Sequence, residues 1–239
     1  MKLKKEIAIK ESDVLASCVS VNDLGNNVLY RLCKENFTHD AADKIIAKTN
    51  IIGRTYAVAL DRGKDKNKTK AEKKKHITDD FFQKVVVPIF MKSKLDTILT
   101  DLSTLENAND DIDRILFAHF YLMSKLKKLN QEDKRSFCSK YLHFHLRNLF
   151  FIYDSRATQS INTIISGKAV KDKRKIKRQD DQYANFFRKS LFLQNIIKEQ
   201  FKVELTPRQL DNYLLVSANE HLRNKKKIHL EEKVKKTIS

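Results

Sequence analysis

Lys140 and Asp154 are the residues of this chain whose types and spacing are best suited to chemistry. They bracket one apolar passage, from Phe137 through Tyr141, His143, Phe144 and His145 to Phe150, Phe151, Tyr153 and Arg156. The pattern predicts a helix over 132–146 with Lys140 near its start, then a short turn. An apolar approach from Leu149 to Tyr153 then delivers Asp154 to the start of a helix over 155–166, which Gly167 ends. A carboxylate at a helix start faces unpaired amides and is favoured by the helix dipole. An amine among Phe137, Tyr141 and Phe144 loses solvation, which makes it more nucleophilic. Each residue also has a plainer reading. Asp-Ser-Arg is a sufficient N-cap, and a lysine on an apolar face snorkels to water.

The elements that must position this pair are helical. The chain has 239 residues, 41% of them hydrophobic, with only 4 Gly and 2 Pro. That is enough for a real core and too few turn residues for an all-β protein. Ser12 or Asp13 is expected to cap a first helix through about Ser20, with others over 24–34 and 41–48. Residues 50–60 read as helix or strand. Thr78-Asp79-Asp80 opens a helix that runs past Pro88, and Ser93–Leu102 is another. Asn109-Asp110-Asp111 caps a strong helix over 112–129, expected to pack against 132–146 as a helical hairpin. Residues 181–201 form a long helix, and Thr206-Pro207 opens the last, to about Leu222.

The net charge is +18, and almost all of it lies in three short runs, 62–75, 168–178 and 223–236, which together carry +17. A nearly neutral body with basic segments suits a polyanion, nucleic acid above all; solvated lysine loops are the bland alternative. Cys18, Cys33 and Cys138 are too scattered for a cysteine zinc site and fit a reducing compartment. No stretch is long and apolar enough for a membrane span, and the first residues lack a signal-peptide core, so a cytoplasmic protein is expected. His143 and His145 lie two apart, about 200° around a helix, so they do not share a metal. No glycine motif for nucleotides is present, and no cofactor is expected.

The pattern Ser139-Lys140 … Phe151-Ile152-Tyr153-Asp154-Ser155-Arg156 resembles the helix-hairpin-helix DNA glycosylases, and within them the 8-oxoguanine glycosylase-like branch, which includes small divergent members of bacterial defence against phages with modified DNA. The resemblance is specific over 112–166. It implies a mainly α, two-lobed helical bundle, here one domain over 1–239 with lobes 1–110 and 111–222 and a basic tail, 223–239. It implies an enzyme that flips a modified or damaged base out of duplex DNA and cleaves its N-glycosidic bond. Asp154 would stabilise the charge that develops on the sugar, and Lys140 matches the lysine nucleophile. Asn50, Arg54, Tyr56, Phe144 and Tyr153 would line the base pocket. Phe150, Phe186 and Phe187 are further aromatic candidates for pocket or core. Lys134, Arg135, Arg156, Lys173, Arg174 and Lys175 would contact DNA, with the protein acting as a monomer. The chain departs from the family in two ways: the linker from Leu129 to Ser136 has no glycine, and the Lys-to-Asp spacing is short. The sequence leaves open whether lysine or water attacks the sugar. It also leaves open a non-catalytic helical nucleic-acid-binding protein and, less favoured, a nuclease or toxin.

Overall fold

The computed structural model describes residues 1–4, 8–19, 22–61, 78–129, 131–167 and 178–217. The three basic runs lie outside the described residues except for Arg178, and Lys173, Arg174 and Lys175 lie outside with them. The described chain is mainly helical. Its elements are β1 (Lys2–Leu3), α1 (Glu11–Ser17), α2 (Asn22–Glu35), α3 (Ala42–Thr55), α4 (Thr78–Phe81), a π-helical turn (Phe82–Val86), α5 (Val87–Met91), α6 (Leu95–Leu102), α7 (Ile112–Leu126), α8 (Arg135–His145), α9 (Ser155–Ile164), β2 (Ile165–Ser166), α10 (Asp181–Phe201) and α11 (207–217).

α8 is the hub. Every residue from Phe137 to Phe144 is buried, and the helix packs against α7, α2 and α3. The α7–α8 hairpin expected from the sequence forms. Its linker turns without glycine by placing Gln131 at φ 60°. One continuous apolar cluster joins Ile45 and Ile52 of α3 to Phe137, Tyr141, Phe151 and Phe187, so the core runs through both expected lobes.

Several capping expectations hold. The Asp111 side chain accepts from the Arg114 amide at 3.0 Å as expected, and α10 has a cap that the sequence reading did not assign, the Asp180 side chain accepting from the Tyr183 amide at 2.8 Å. Thr206 and Gln209 form a reciprocal capping box, 3.3 Å and 2.8 Å, with Pro207 as the first helical residue. Other expectations need correction. The first helix starts at Glu11, and its N-cap is Lys10, which makes no side-chain cap bond, instead of Ser12 or Asp13. The two segments 41–48 and 50–60 are one helix, α3, which ends at Thr55. The helix at 155 ends at Ile164, because Ile165 and Ser166 pair antiparallel with Leu3 and Lys2. A two-residue strand is too short to leave an alternation that sequence can show.

Candidate functional site

Four backbone groups on the approach to Asp154 are held by side chains. The Phe150 carbonyl accepts from His143 Nδ1 at 2.8 Å, and the Phe151 carbonyl from the Tyr183 hydroxyl at 3.1 Å. The Tyr153 amide donates to Ser139 Oγ at 3.0 Å. The Tyr153 carbonyl accepts from Lys140 Nζ and from Ser136 Oγ, both at 2.9 Å. An extended segment buried among helices requires such partners, and the first two turns of α8 supply them as Ser136, Ser139 and Lys140. The next residue is Asp154, in extended conformation, whose carboxylate accepts from the Ala157 amide at 2.8 Å and caps α9. The N-cap reading of Asp154 is therefore correct as far as it goes.

Asp154 also borders an open cavity of about 890 Å³. The wall combines the start of α9 with α2, the C-terminal end of α3 and α11, and includes Asn26, Tyr56, Arg156, Arg208 and Asp211. Tyr56 reaches it because α3 ends in a tight reversal: Ala57 has φ 53°, and the Val58 amide bonds back to the Gly53 carbonyl at 2.8 Å. A side chain at position 53 would put its Cβ 3.0 Å from the Ala59 Cα, so the reversal needs glycine there.

Asp211 is the residue that sequence reasoning missed. It is 4% exposed. Its Oδ2 accepts from Arg208 at 2.6 Å, and Arg208 is held in turn by Asp23 at 3.2 Å. Its Oδ1 is buried with no hydrogen-bond partner. Burial, with help from the Asp154 charge, raises its pKa to about 7, and the nearby Arg208 charge only partly offsets this. Asn26 is a second orphan on the same wall: its Oδ1 accepts from the Tyr56 hydroxyl at 2.7 Å, while its Nδ2 is buried and unpartnered. Unpaired buried polar atoms are costly and rare in folded proteins. Two such atoms belong to residues of one cavity wall. One signal in the sequence could have found Asp211, an acid set among the apolar positions Leu210, Tyr213 and Leu214 of a helix.

Lys140 is 2% exposed and does not line the cavity. Its Nζ lies 5.7 Å from the Tyr56 ring centroid, and it donates to Ser136 Oγ at 2.8 Å as well as to the Tyr153 carbonyl. Burial lowers its pKa, against the charges of Asp154 and Asp211. The same electrostatic neighbourhood thus holds Lys140, Asp154 and Asp211.

The other expected pocket residues divide. Tyr56 lines the cavity. Phe144 stands behind it, 5.4 Å from the Tyr56 ring, and Tyr153 turns the other way, onto Phe186 and Tyr183. Asn50 and Arg54 bond to each other at 3.3 Å, and Arg54 pairs with Asp61 on a separate shallow depression. Phe150, Phe186 and Phe187 are core. Of the expected DNA contacts, Arg156 is exposed at the cavity wall. Lys134 pairs with Glu132, and Arg135 makes a two-pronged pair with Asp180 that joins the starts of α8 and α10. His143 and His145 have separate partners: Tyr30 and the Phe150 carbonyl for the first, Lys48 and the Tyr141 carbonyl for the second. Among the described residues no helix is long and apolar enough to cross a membrane.

Comparison of the chain with protein-family models, with curated proteins and with solved structures found no match.

Proposed function

We propose that the protein is a DNA glycosylase that excises a modified or damaged base by cleaving its N-glycosidic bond, with Asp154 and Asp211 as the catalytic pair. The observation that carries this reading is the sharing of one cavity by two carboxyl groups in opposite environments. Asp154 sits half-buried at a helix start, where its side chain accepts from the Ala157 amide. Asp211 is buried, which favours its neutral form. A buried carboxyl group held neutral beside a second carboxyl group on the same cavity fits glycosidic cleavage, where one protonates the leaving group and the other stabilises an oxocarbenium-like sugar.

In the proposed reaction a flipped nucleotide enters the cavity with its base against Tyr56. The C1′–N bond breaks, and its electron pair leaves with the base as the base takes the Asp211 proton. The Asp154 carboxylate faces the positive charge on the sugar. Water then adds to C1′, and its proton passes to a carboxylate. The excess of basic residues in the chain supports a nucleic acid as the carrier of the sugar.

Lys140 takes a different part from the nucleophile that the family resemblance implies. Its amine stands off the cavity wall and clamps the carbonyl next to Asp154, so it is a positioning residue, and cleavage is monofunctional. The test is incubation with duplexes carrying varied modified bases, followed by assay for abasic sites. Excision that Asp154→Asn and Asp211→Asn each slow by about a hundredfold or more supports the reading; binding without abasic sites on any substrate sinks it. Borohydride trapping of a wild-type covalent complex would return Lys140 to the nucleophile's role.

A further inference from the structure

A second concavity, of about 540 Å³, lies on the outer face of α7 and shares no residue with the cavity of Asp154. Its volume falls in the range of ligand-holding clefts, about 300–1,000 Å³. Four cations border it: Lys92 and Lys94 from the link before α6, Lys125 from α7, and Arg178 from just ahead of α10. No carboxylate is among the lining residues, and none of the four has an acidic partner among the described residues. Some cations elsewhere do find acidic partners, such as Lys44 with Asp40, Lys84 with Asp80 and Arg114 with Asp101. The concavity therefore gathers four cations that lack an acidic partner among the described residues.

The floor between the cations is aromatic. Phe117 and Tyr121, one helical turn apart, present half-buried rings 6.1 Å from each other. Tyr121 is fixed at both ends, because its hydroxyl accepts from the Lys94 amide at 2.7 Å and Lys125 Nζ stands 5.1 Å from its ring centroid. A folded helix gains little from a half-exposed aromatic pair under unpaired lysines. Positive charge tracking a backbone beside aromatic faces is, however, how proteins hold single-stranded nucleic acid. A duplex keeps its base faces stacked and offers nothing to such rings, and an acidic peptide makes no use of them.

We infer that this concavity binds a single-stranded nucleic-acid segment, with unstacked bases on Tyr121 and Phe117 and phosphates on Lys92, Lys94, Lys125 and Arg178. Binding here is independent of base excision, so either reading can fail alone.

The test measures fluorescence anisotropy of the full chain with labelled oligothymidylate and with an abasic strand of equal length, which keeps the phosphates and lacks the bases. The wild type should prefer the base-bearing strand by about tenfold or more. Tyr121→Leu and Phe117→Leu, which keep an apolar side chain in place, should bring that ratio close to one. Phe192→Leu, at a half-buried ring that lines neither cavity, should leave it unchanged. Lys92→Gln with Lys94→Gln should weaken both strands alike and flatten the salt dependence by about 0.7 in log–log slope for each phosphate left without its cation. Three results would overturn the inference: equal wild-type affinity for the two strands, a ratio that survives Tyr121→Leu, or polyglutamate competing as well as oligothymidylate. The wild-type strand comparison stands even if a variant does not fold.

Discussion

At the scale of single residues, the proposed chemistry rests on what burial does to Asp211. Its pKa is raised to about 7, so the proton it would donate is present below that pH and lost above it. Excision measured as kcat/KM should fall about tenfold for each pH unit above 7. Asp211→Asn keeps an oxygen for Arg208 and has no proton to titrate. It should lose about 10²–10⁴-fold in rate and lose the alkaline limb with it. A pH profile for Asp211→Asn that matches wild type would remove Asp211 from the chemistry. Asp154→Asn keeps an acceptor for the Ala157 amide and removes the negative charge. It should cost about 10²–10³-fold in kcat with little change in melting temperature, whereas if Asp154 were a cap alone Asn would replace it and leave both unchanged. Lys140→Met is a sharper case, because stability and activity should part company. It removes a buried amine, and the Tyr153 carbonyl keeps its bond from Ser136. The variant should be as stable as wild type or more so, yet slower by about tenfold, since Asp154 is less firmly placed. Loss of stability without loss of rate would contradict the positioning role.

At the scale of elements, the site depends on where α3 ends, and two glycines make that testable with opposite signs. Gly25 in α2 has open space around it, so Gly25→Ala should stabilise by up to about 1 kcal/mol through helix propensity. Gly53 is also helical, but its Cβ would meet the Ala59 backbone at 3.0 Å, and a backbone atom has little freedom to retreat. Gly53→Ala should destabilise by about 1–3 kcal/mol and displace the reversal that carries Tyr56. Urea midpoints decide it; a shift of the same sign in both would show that the reversal yields easily. The sequence made α7, α8 and α10 legible because each combines an apolar face with a capping residue or a compatible length. It also made the Lys140–Asp154 relation legible, since both lie within one passage of chain. What it could not convey is that α2, α3 and α11, from both ends of the chain, close around Asp154. Asn26, Tyr56 and Asp211 are separated by long stretches of sequence and meet only through packing. The merger of 41–48 with 50–60 was hidden for a related reason, since Gly53 reads as a break and serves as a contact.

At the scale of the whole molecule, the core is held by buried rings that fold in their neutral form. His39, His119 and His143 are buried, and that burial lowers their pKa values to about 4, 4 and 3; His145 is lowered well below its ordinary value for the same reason. Their partners bind helices together: His143 joins α8 to Tyr30 of α2, and His39 joins Asp96 of α6 to Tyr141 of α8. Lys48, wholly buried, donates to His145 and to the Thr38 carbonyl, and burial lowers its pKa to about 8. Unfolded histidines take up protons near pH 6.5, while the folded ones resist until about pH 4. The stability they contribute is therefore complete above about pH 6.5 and is lost as pH falls toward 4. Asp211 works in the opposite direction, because between about pH 4 and 7 the folded chain holds a proton there that the unfolded chain releases. Four histidines outweigh one carboxyl, so the unfolding free energy from urea titration should rise from about pH 4.5 to 6.5, by several kcal/mol in all. Asp211→Asn removes the opposing contribution and should make that rise steeper, while His143→Gln should make it shallower. An unfolding free energy that is flat or falls with pH across this window would mean that the rings are not held neutral in the fold, and the helix-to-helix joints assigned to them would have to be given up.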